Sequence, residues 1–218
     1  MKPATRNAAL LFLCLSPYCA AQTTSNSASQ VTCNTCPVPG IDPKGSTPFA
    51  NADTSHGCKT GTKRGFPTPD PKCTPGAINP TVTLDVLKNP AFRTGCVRDC
   101  ATLEADKNAT YGLYSIKHPS NNQGTTETCE LDHLVSLELG GADTLDNIWP
   151  QCGPNQVALA ERFFKQKDMV ENFLAVRVKT GKMILADVQK GIAADWTQYL
   201  AAAKTFCKNN PNTCHLTP

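Results

Sequence analysis

The chain has 218 residues, 40% hydrophobic and 18% charged, so it can bury a core while carrying fewer charges than the ~25% usual for a globular domain. With 17 Pro, 14 Gly and 12 Cys against 6% aromatic residues, a coiled coil, a collagen-like chain and a cytosolic helical bundle are excluded. The formal charge of +3 is too small to mark a nucleic-acid binder on global charge. Outside the N-terminus no apolar run reaches the roughly 18 residues of a membrane-spanning helix, so no membrane partner is expected.

Residues 1–21 combine Lys2 and Arg6, an apolar run from Ala8 to Leu15, and Cys19-Ala20-Ala21 ahead of Gln22. This is the layout of a secretory signal peptide cut after Ala21, and it predicts a secreted or periplasmic product with a formal charge of +1. Leu13 and Tyr18, which precede Cys14 and Cys19, are not the small residues of a lipoprotein signal. Ten cysteines remain, an even number that reads as up to five disulfides in an oxidising compartment. Cys129 with Cys152 and Cys207 with Cys214 are the local pairings expected. A zinc site on Cys33, Cys36, Cys58 and Cys73 is the weaker alternative, because the second pair lacks close spacing.

Residues 22–32, rich in Ser, Thr, Asn and Gln, read as a flexible leader. Residues 33–80 are a Pro/Gly/Cys-rich, disulfide-held segment in which Pro67, Pro69, Pro71 and Pro75 interrupt regular structure. Residues 81–218 form the main domain. Val82 to Leu87 predicts a short helix or strand and Phe92 to Arg98 a strand. Runs around Leu131 to Leu137 and Ile148 to Gln151 predict two strands joined by a Gly-Gly and Asp-rich connection, with a helix after Pro154. Leu159, Phe163, Val170, Phe173 and Leu174 make a helical stripe that Gly181 ends. Leu185, Val188, Ile192, Trp196, Leu200 and Ala203 predict one further helix packed antiparallel on the first. The fold class is α+β.

Between Glu127 and Asn147 lie six acidic side chains, Glu127, Glu130, Asp132, Glu138, Asp143 and Asp146, and no Lys or Arg. Such a field attracts a divalent cation and, without one, repels phosphate. Asp132-His133, Gly140-Gly141 and Asn147-Ile148-Trp149-Pro150 resemble the Asp-His, Gly-Gly and Asn-Leu elements of HNH endonucleases, the ββα-metal or His-Me finger superfamily. Thr74 to Pro80, Cys96-Val97-Arg98, Lys167-Asp168 with Glu171-Asn172, and Ile192 with Asp195-Trp196 are similar to blocks of a group of secreted HNH-like proteins.

The resemblance implies a central ββα-metal hairpin and helix, a second C-terminal helix and an irregular N-terminal region. It implies a secreted metal-dependent hydrolase, an endonuclease that cuts DNA or RNA phosphodiester bonds with little sequence preference. In that scheme His133 is the general base, Asp132 ligates Mg²⁺ or Mn²⁺, and Asn147 ties the hairpin loop and orients the base. On a regular strand adjacent side chains alternate, so Asp132 and His133 are expected at a strand end or in a loop. The helix histidine of a typical HNH site is missing, because no His follows Asn147 before His215; Asn155, Asp168, Glu171 and Asn172 are the candidate substitutes. The remaining acids, Asp143 among them, receive no role.

Lys167 is a candidate phosphate contact, against the alternative of a solvated helix face with a Lys167 to Glu171 pair. Two basic clusters offer phosphate contacts for a nucleic-acid partner: Lys59, Lys63, Arg64 and Lys72, and Arg162, Lys165, Lys167, Arg177, Lys179 and Lys182. His56, His118 and His215 read as exposed loop histidines, and Trp149 and Trp196 as core. The rival reading is a non-catalytic secreted binding or structural module on the same scaffold.

Overall fold

The computed structural model describes residues 36–99 and 104–214. The predicted signal peptide and leader, Cys33, Cys100 and His215 lie outside the described residues. The fold is α+β, and the described residues form three small two-stranded antiparallel sheets with helices gathered toward the C-terminal end of that range. Among the described residues no helix is long and apolar enough to cross a membrane.

The Pro-rich segment folds as short ribbons. Strand β1 (Thr47–Pro48) pairs with β4 (Ala77–Ile78), and β2 (Gly61–Lys63) pairs with β3 (Phe66–Thr68). Arg64 and Gly65, at φ 51° and 81°, make the two-residue turn between β2 and β3, a conformation that suits the strand twist. Arg64 is held there by Asp195 and by the Thr197 hydroxyl, and Lys63 donates to the Ala194 carbonyl. This half of the first basic cluster therefore clips the N-terminal ribbon to the C-terminal helices.

Among the described residues four disulfides join Cys36 to Cys96, Cys58 to Cys73, Cys129 to Cys152 and Cys207 to Cys214. The last two are the expected local pairs. With Cys36, Cys58 and Cys73 so used, the zinc alternative loses its ligands, since a disulfide sulfur is not a thiolate.

Helix α1 (Leu84–Lys88) starts at Thr83, whose hydroxyl accepts the Val86 N–H. The strand expected over Phe92 to Arg98 is instead a 3-10 turn, Thr94–Cys96. Its physical reason is local: Gly95 sits at the centre, and Cys96 and Val97 turn into a small core with Val38, Val82, Leu87 and Leu137 rather than along a sheet edge. Helix α2 (Glu104–Leu113) was not expected from the sequence; its buried aromatic anchors are Tyr111 and, one residue past its end, Tyr114.

Strands β5 (Cys129–His133) and β6 (Ile148–Cys152) form the central hairpin, in register from Cys129 opposite Cys152 to His133 opposite Ile148. β5 ends four residues before the predicted limit, because Leu134 onward leaves the strand and enters a connection with 3-10 turns at Leu137–Leu139 and Leu145–Asn147. Helix α3 (Phe163–Lys179) follows after a further turn, Leu159–Glu161. Its buried face, including Val170, Leu174 and Val178, joins Val188, Ile192, Trp196 and Ala203 in the main core. The single second helix of the prediction is two, α4 (Leu185–Asp195) and α5 (Leu200–Asn209). Asp195 breaks it: its carboxylate accepts the Thr197 N–H at 3.1 Å and the Thr197 hydroxyl at 2.6 Å, starting a new 3-10 turn.

Candidate functional site

Asp132 and His133 are the last two residues of β5, as their adjacency required. The chain turns away directly after them, and both side chains reach one cleft of about 180 Å³, walled also by Arg98, Glu130, Asp168 and Glu171. Asn147 fixes that turn. Its side chain is fully buried; Oδ1 accepts the N–H groups of Val135 at 2.9 Å and Ala77 at 3.3 Å, and Nδ2 donates to the carbonyls of Val135 at 3.0 Å and Ala142 at 2.8 Å. One amide thus satisfies both sides of the loop and ties it to β4, using its donor and acceptor capacity in full.

His133 Nε2 lies 2.8 Å from Asp143 Oδ1. Asp143 is fully buried and also accepts from Lys107 Nζ, at 3.0 Å to each oxygen, and from the Asp99 N–H at 2.8 Å. Burial alone would raise the Asp143 pKa; the hydrogen bonds and charges of His133 and Lys107 outweigh it and hold the carboxyl below its usual range. The His133 pKa moves down, through burial first and then the charges of Arg98 and Lys107, against the pull of Asp143. An ionised carboxylate only accepts, so Nε2 carries the ring proton and Nδ1 keeps its lone pair. Among the described residues nothing is bonded to Nδ1. The result is a neutral base oriented by an anion, at the wall of a cleft.

Asp132 faces the helix side. Its carboxylate accepts Lys167 Nζ at 3.0 to 3.1 Å and the Trp149 indole N–H at 3.1 Å. Burial, with the charges of Glu171 and Asp168, pushes its pKa up against the attraction of Lys167. Glu130 is pushed up to about 8 by burial and by Asp168 and Asp132. Asp168 is raised by burial and by Glu171, although Lys165 Nζ stands 2.8 Å from it. The cleft is therefore crowded with carboxylates that disfavour one another's charge.

Lys167 is not on a solvated face and does not present its ammonium to solvent: it is fully buried, bonded to Asp132, to Glu171 and to the His133 carbonyl at 2.7 Å. The expected Lys167–Glu171 pair is present, but inside the protein. Of the candidate substitutes for the helix ligand, Asp168 and Glu171 line the cleft, Asn172 lines a neighbouring groove and donates to the Asp168 carbonyl, and Asn155 is exposed in the turn after β6. His118 is exposed, edge-on to Tyr111.

The donor chemistry of Asp132, Glu171 and the His133 carbonyl is that of a hard divalent cation, but these oxygens converge on the Lys167 ammonium. Among the described residues the one grouping with three side-chain donors within 4.8 Å of one another is His56, Asp70 and Cys73, and Cys73 is in a disulfide. As they stand, Asp132, Glu171 and the His133 carbonyl are taken up by the ammonium and do not fit a divalent ion in its place.

Sequence reading passed over Asp143 and Lys107, which set the state of His133, and Arg98, which appeared only inside a block of resemblance. Asp143 lies ten residues after His133, a spacing that carries no periodic signal; only the return of the loop brings them together. No protein-family model, curated protein or solved structure matches the chain.

Proposed function

We propose that this chain is an exported nuclease that hydrolyses phosphodiester bonds, with His133 as general base. The observation that carries the reading is the His133–Asp143 pair, which occupies Nε2 and leaves Nδ1 without a bonded partner among the described residues, in a residue that lines a cleft together with Arg98. The hairpin β5–β6 followed by α3, with Asn147 stitching the connection, supports a ββα finger as the scaffold. The four disulfides among the described residues support an oxidising compartment, in keeping with the predicted signal peptide.

In the proposed reaction a water attacks phosphorus in line, forming the new P–O bond as the bond to the leaving oxygen breaks. The water proton passes to His133 Nδ1, and the leaving oxygen takes its proton from solvent. Arg98, half-buried and without a carboxylate partner among the described residues, holds the phosphoryl oxygens through its planar fork. Asp143 keeps the ring in the tautomer that accepts on Nδ1 and stabilises the imidazolium that forms. Contacts of this kind read phosphate and not base, so little sequence preference is expected.

The test is cleavage of plasmid DNA and single-stranded RNA by the disulfide-intact protein beside His133→Ala, with both proteins' melting curves recorded. Loss of cleavage in a variant that still melts cooperatively is the expected result. Undiminished cleavage would remove His133 from the mechanism, and inactivity of the parent protein on both polymers would favour the binding module.

A further inference from the structure

Lys167 is the fifth residue of α3, and its ammonium is completely enclosed. Around Nζ stand both carboxylate oxygens of Asp132 at 3.1 and 3.0 Å, the His133 carbonyl at 2.7 Å and a carboxylate oxygen of Glu171. Glu171 is oriented in turn by the Ser136 hydroxyl, which donates to its other oxygen at 2.9 Å. A buried ammonium survives only when its charge is matched and its protons are all accepted, and here three donors meet an all-oxygen cage. Two carboxylates and a backbone carbonyl are also the ligand types that a hard divalent cation selects, at about 2.0 to 2.6 Å. An ion at that distance from the same oxygens would lie almost on top of Nζ, so the cage takes one cation or the other.

The cage also touches the proposed base. The His133 carbonyl that accepts from Lys167 belongs to the residue whose ring is held by Asp143, so Lys167 fixes the backbone of His133 while Asp143 holds its ring. Lys167 has no exposed surface and does not touch substrate; its effect passes through Asp132 and His133, which makes it a positioning residue.

We propose that Lys167 is a built-in cation standing where a ββα-metal finger would hold a divalent ion, so that this site neutralises Asp132 and Glu171 internally and works without metal. The proposal deepens the nuclease reading and rests on it for the word "works"; the exclusion of metal from the cage rests on geometry alone. It replaces the expectation that Asp132 ligates Mg²⁺ or Mn²⁺. It also accounts for the missing helix histidine, since a cage filled by a side chain needs no further ligand from α3.

The experiment uses the full secreted protein, with Mn²⁺ as the probe, read by electron paramagnetic resonance and by calorimetric titration, alongside plasmid cleavage in EDTA and in Mg²⁺. The wild type is expected to leave millimolar Mn²⁺ free and to cleave equally, within about twofold, in EDTA and in Mg²⁺. Lys167→Ala is expected to take up one Mn²⁺, to lose about 100-fold in cleavage without it, and to lose the ion again when Asp132→Asn is added. Stoichiometric Mn²⁺ on the wild type that disappears in Asp132→Asn, or cleavage abolished by EDTA and restored by Mg²⁺, would overturn the proposal. Both of those measurements are made on proteins that keep Lys167, so they decide the matter even if Lys167→Ala does not fold. Exclusion of Mn²⁺ by the wild type, uptake by Lys167→Ala and no cleavage under any condition would support the built-in cation and defeat the nuclease reading.

Discussion

At His133 the protonation state follows from opposed contributions: burial and the charges of Arg98 and Lys107 favour the neutral ring, and the Asp143 carboxylate favours the imidazolium. Burial wins, so the base form persists to a pH below the ordinary 6.5, and the acidic limb of kcat/KM is expected there. Asp143→Asn removes the contribution that raises the His133 pKa, so the limb moves to still lower pH while kcat falls about 100-fold or more, because the amide no longer enforces the tautomer. A pH–rate profile that keeps its limb in this variant would show that Asp143 does not act on the titration of His133.

The same substitution has a stability signature. The Asp143 pKa is depressed on folding, so its contribution is present above the ordinary carboxylate value of 3.8 and is lost as pH falls through the lower folded value. Asp143→Asn is expected to cost about 3 kcal/mol at neutral pH, by stranding His133 and Lys107, and to flatten the fall in stability below about pH 4. Urea unfolding at a series of pH values measures both.

Among the elements, the connection between β5 and β6 shows most plainly what a sequence discloses. The places of Asp132, His133 and Asn147 were legible because they depend on neighbours within one hairpin: two residues at a strand end, and an amide that closes the loop behind them. The meeting of Asp143, Lys107 and Arg98 around His133 was not, because they come together from the loop, from α2 and from the segment after the Thr94–Cys96 turn. α2 itself carries too few apolar residues for a stripe, and the break at Asp195 hides inside an unbroken one, since a capping carboxylate leaves the helical period of its neighbours intact. The spacing of Lys167 and Glu171 makes an i,i+4 pair legible, but nothing in that spacing says whether the lysine faces water, where it could meet phosphate, or core, where it lies.

Gly141 offers the sharpest test of this connection. The loop folds back so closely that a Cβ at this position would stand 1.8 Å from the Val135 carbonyl oxygen, and the Gly141 N–H donates to the Ser136 carbonyl at 2.9 Å. Backbone cannot yield as a flexible side chain would. Gly141→Ala is expected to cost about 3 kcal/mol or more and to displace Val135, whose backbone Asn147 grips. Thermal melting of the variant beside Gly95→Ala, where a Cβ meets nothing within 4 Å, separates crowding from a general effect of replacing glycine.

Across the whole molecule the candidate site draws on segments far apart in sequence, and a covalent staple lies beside one of them. The Cys36–Cys96 disulfide spans 60 residues and ends two residues before Arg98; Cys207–Cys214 spans 7 residues at the end of α5. By loop entropy alone, restraint of the unfolded chain is worth about 4 kcal/mol for the first and about 2 kcal/mol for the second. Stability and kinetics should then separate. Replacing Cys36 and Cys96 by Ser is expected to lower stability by the larger amount and to raise KM, since the turn that delivers Arg98 to the cleft loses its anchor to the N-terminal segment. Replacing Cys207 and Cys214 by Ser is expected to lower stability by the smaller amount with KM unchanged, because neither residue lines the cleft. Urea unfolding and steady-state kinetics on the two double variants measure both quantities. An unchanged KM in the first pair would mean that the Val97 core, and not the staple, positions Arg98.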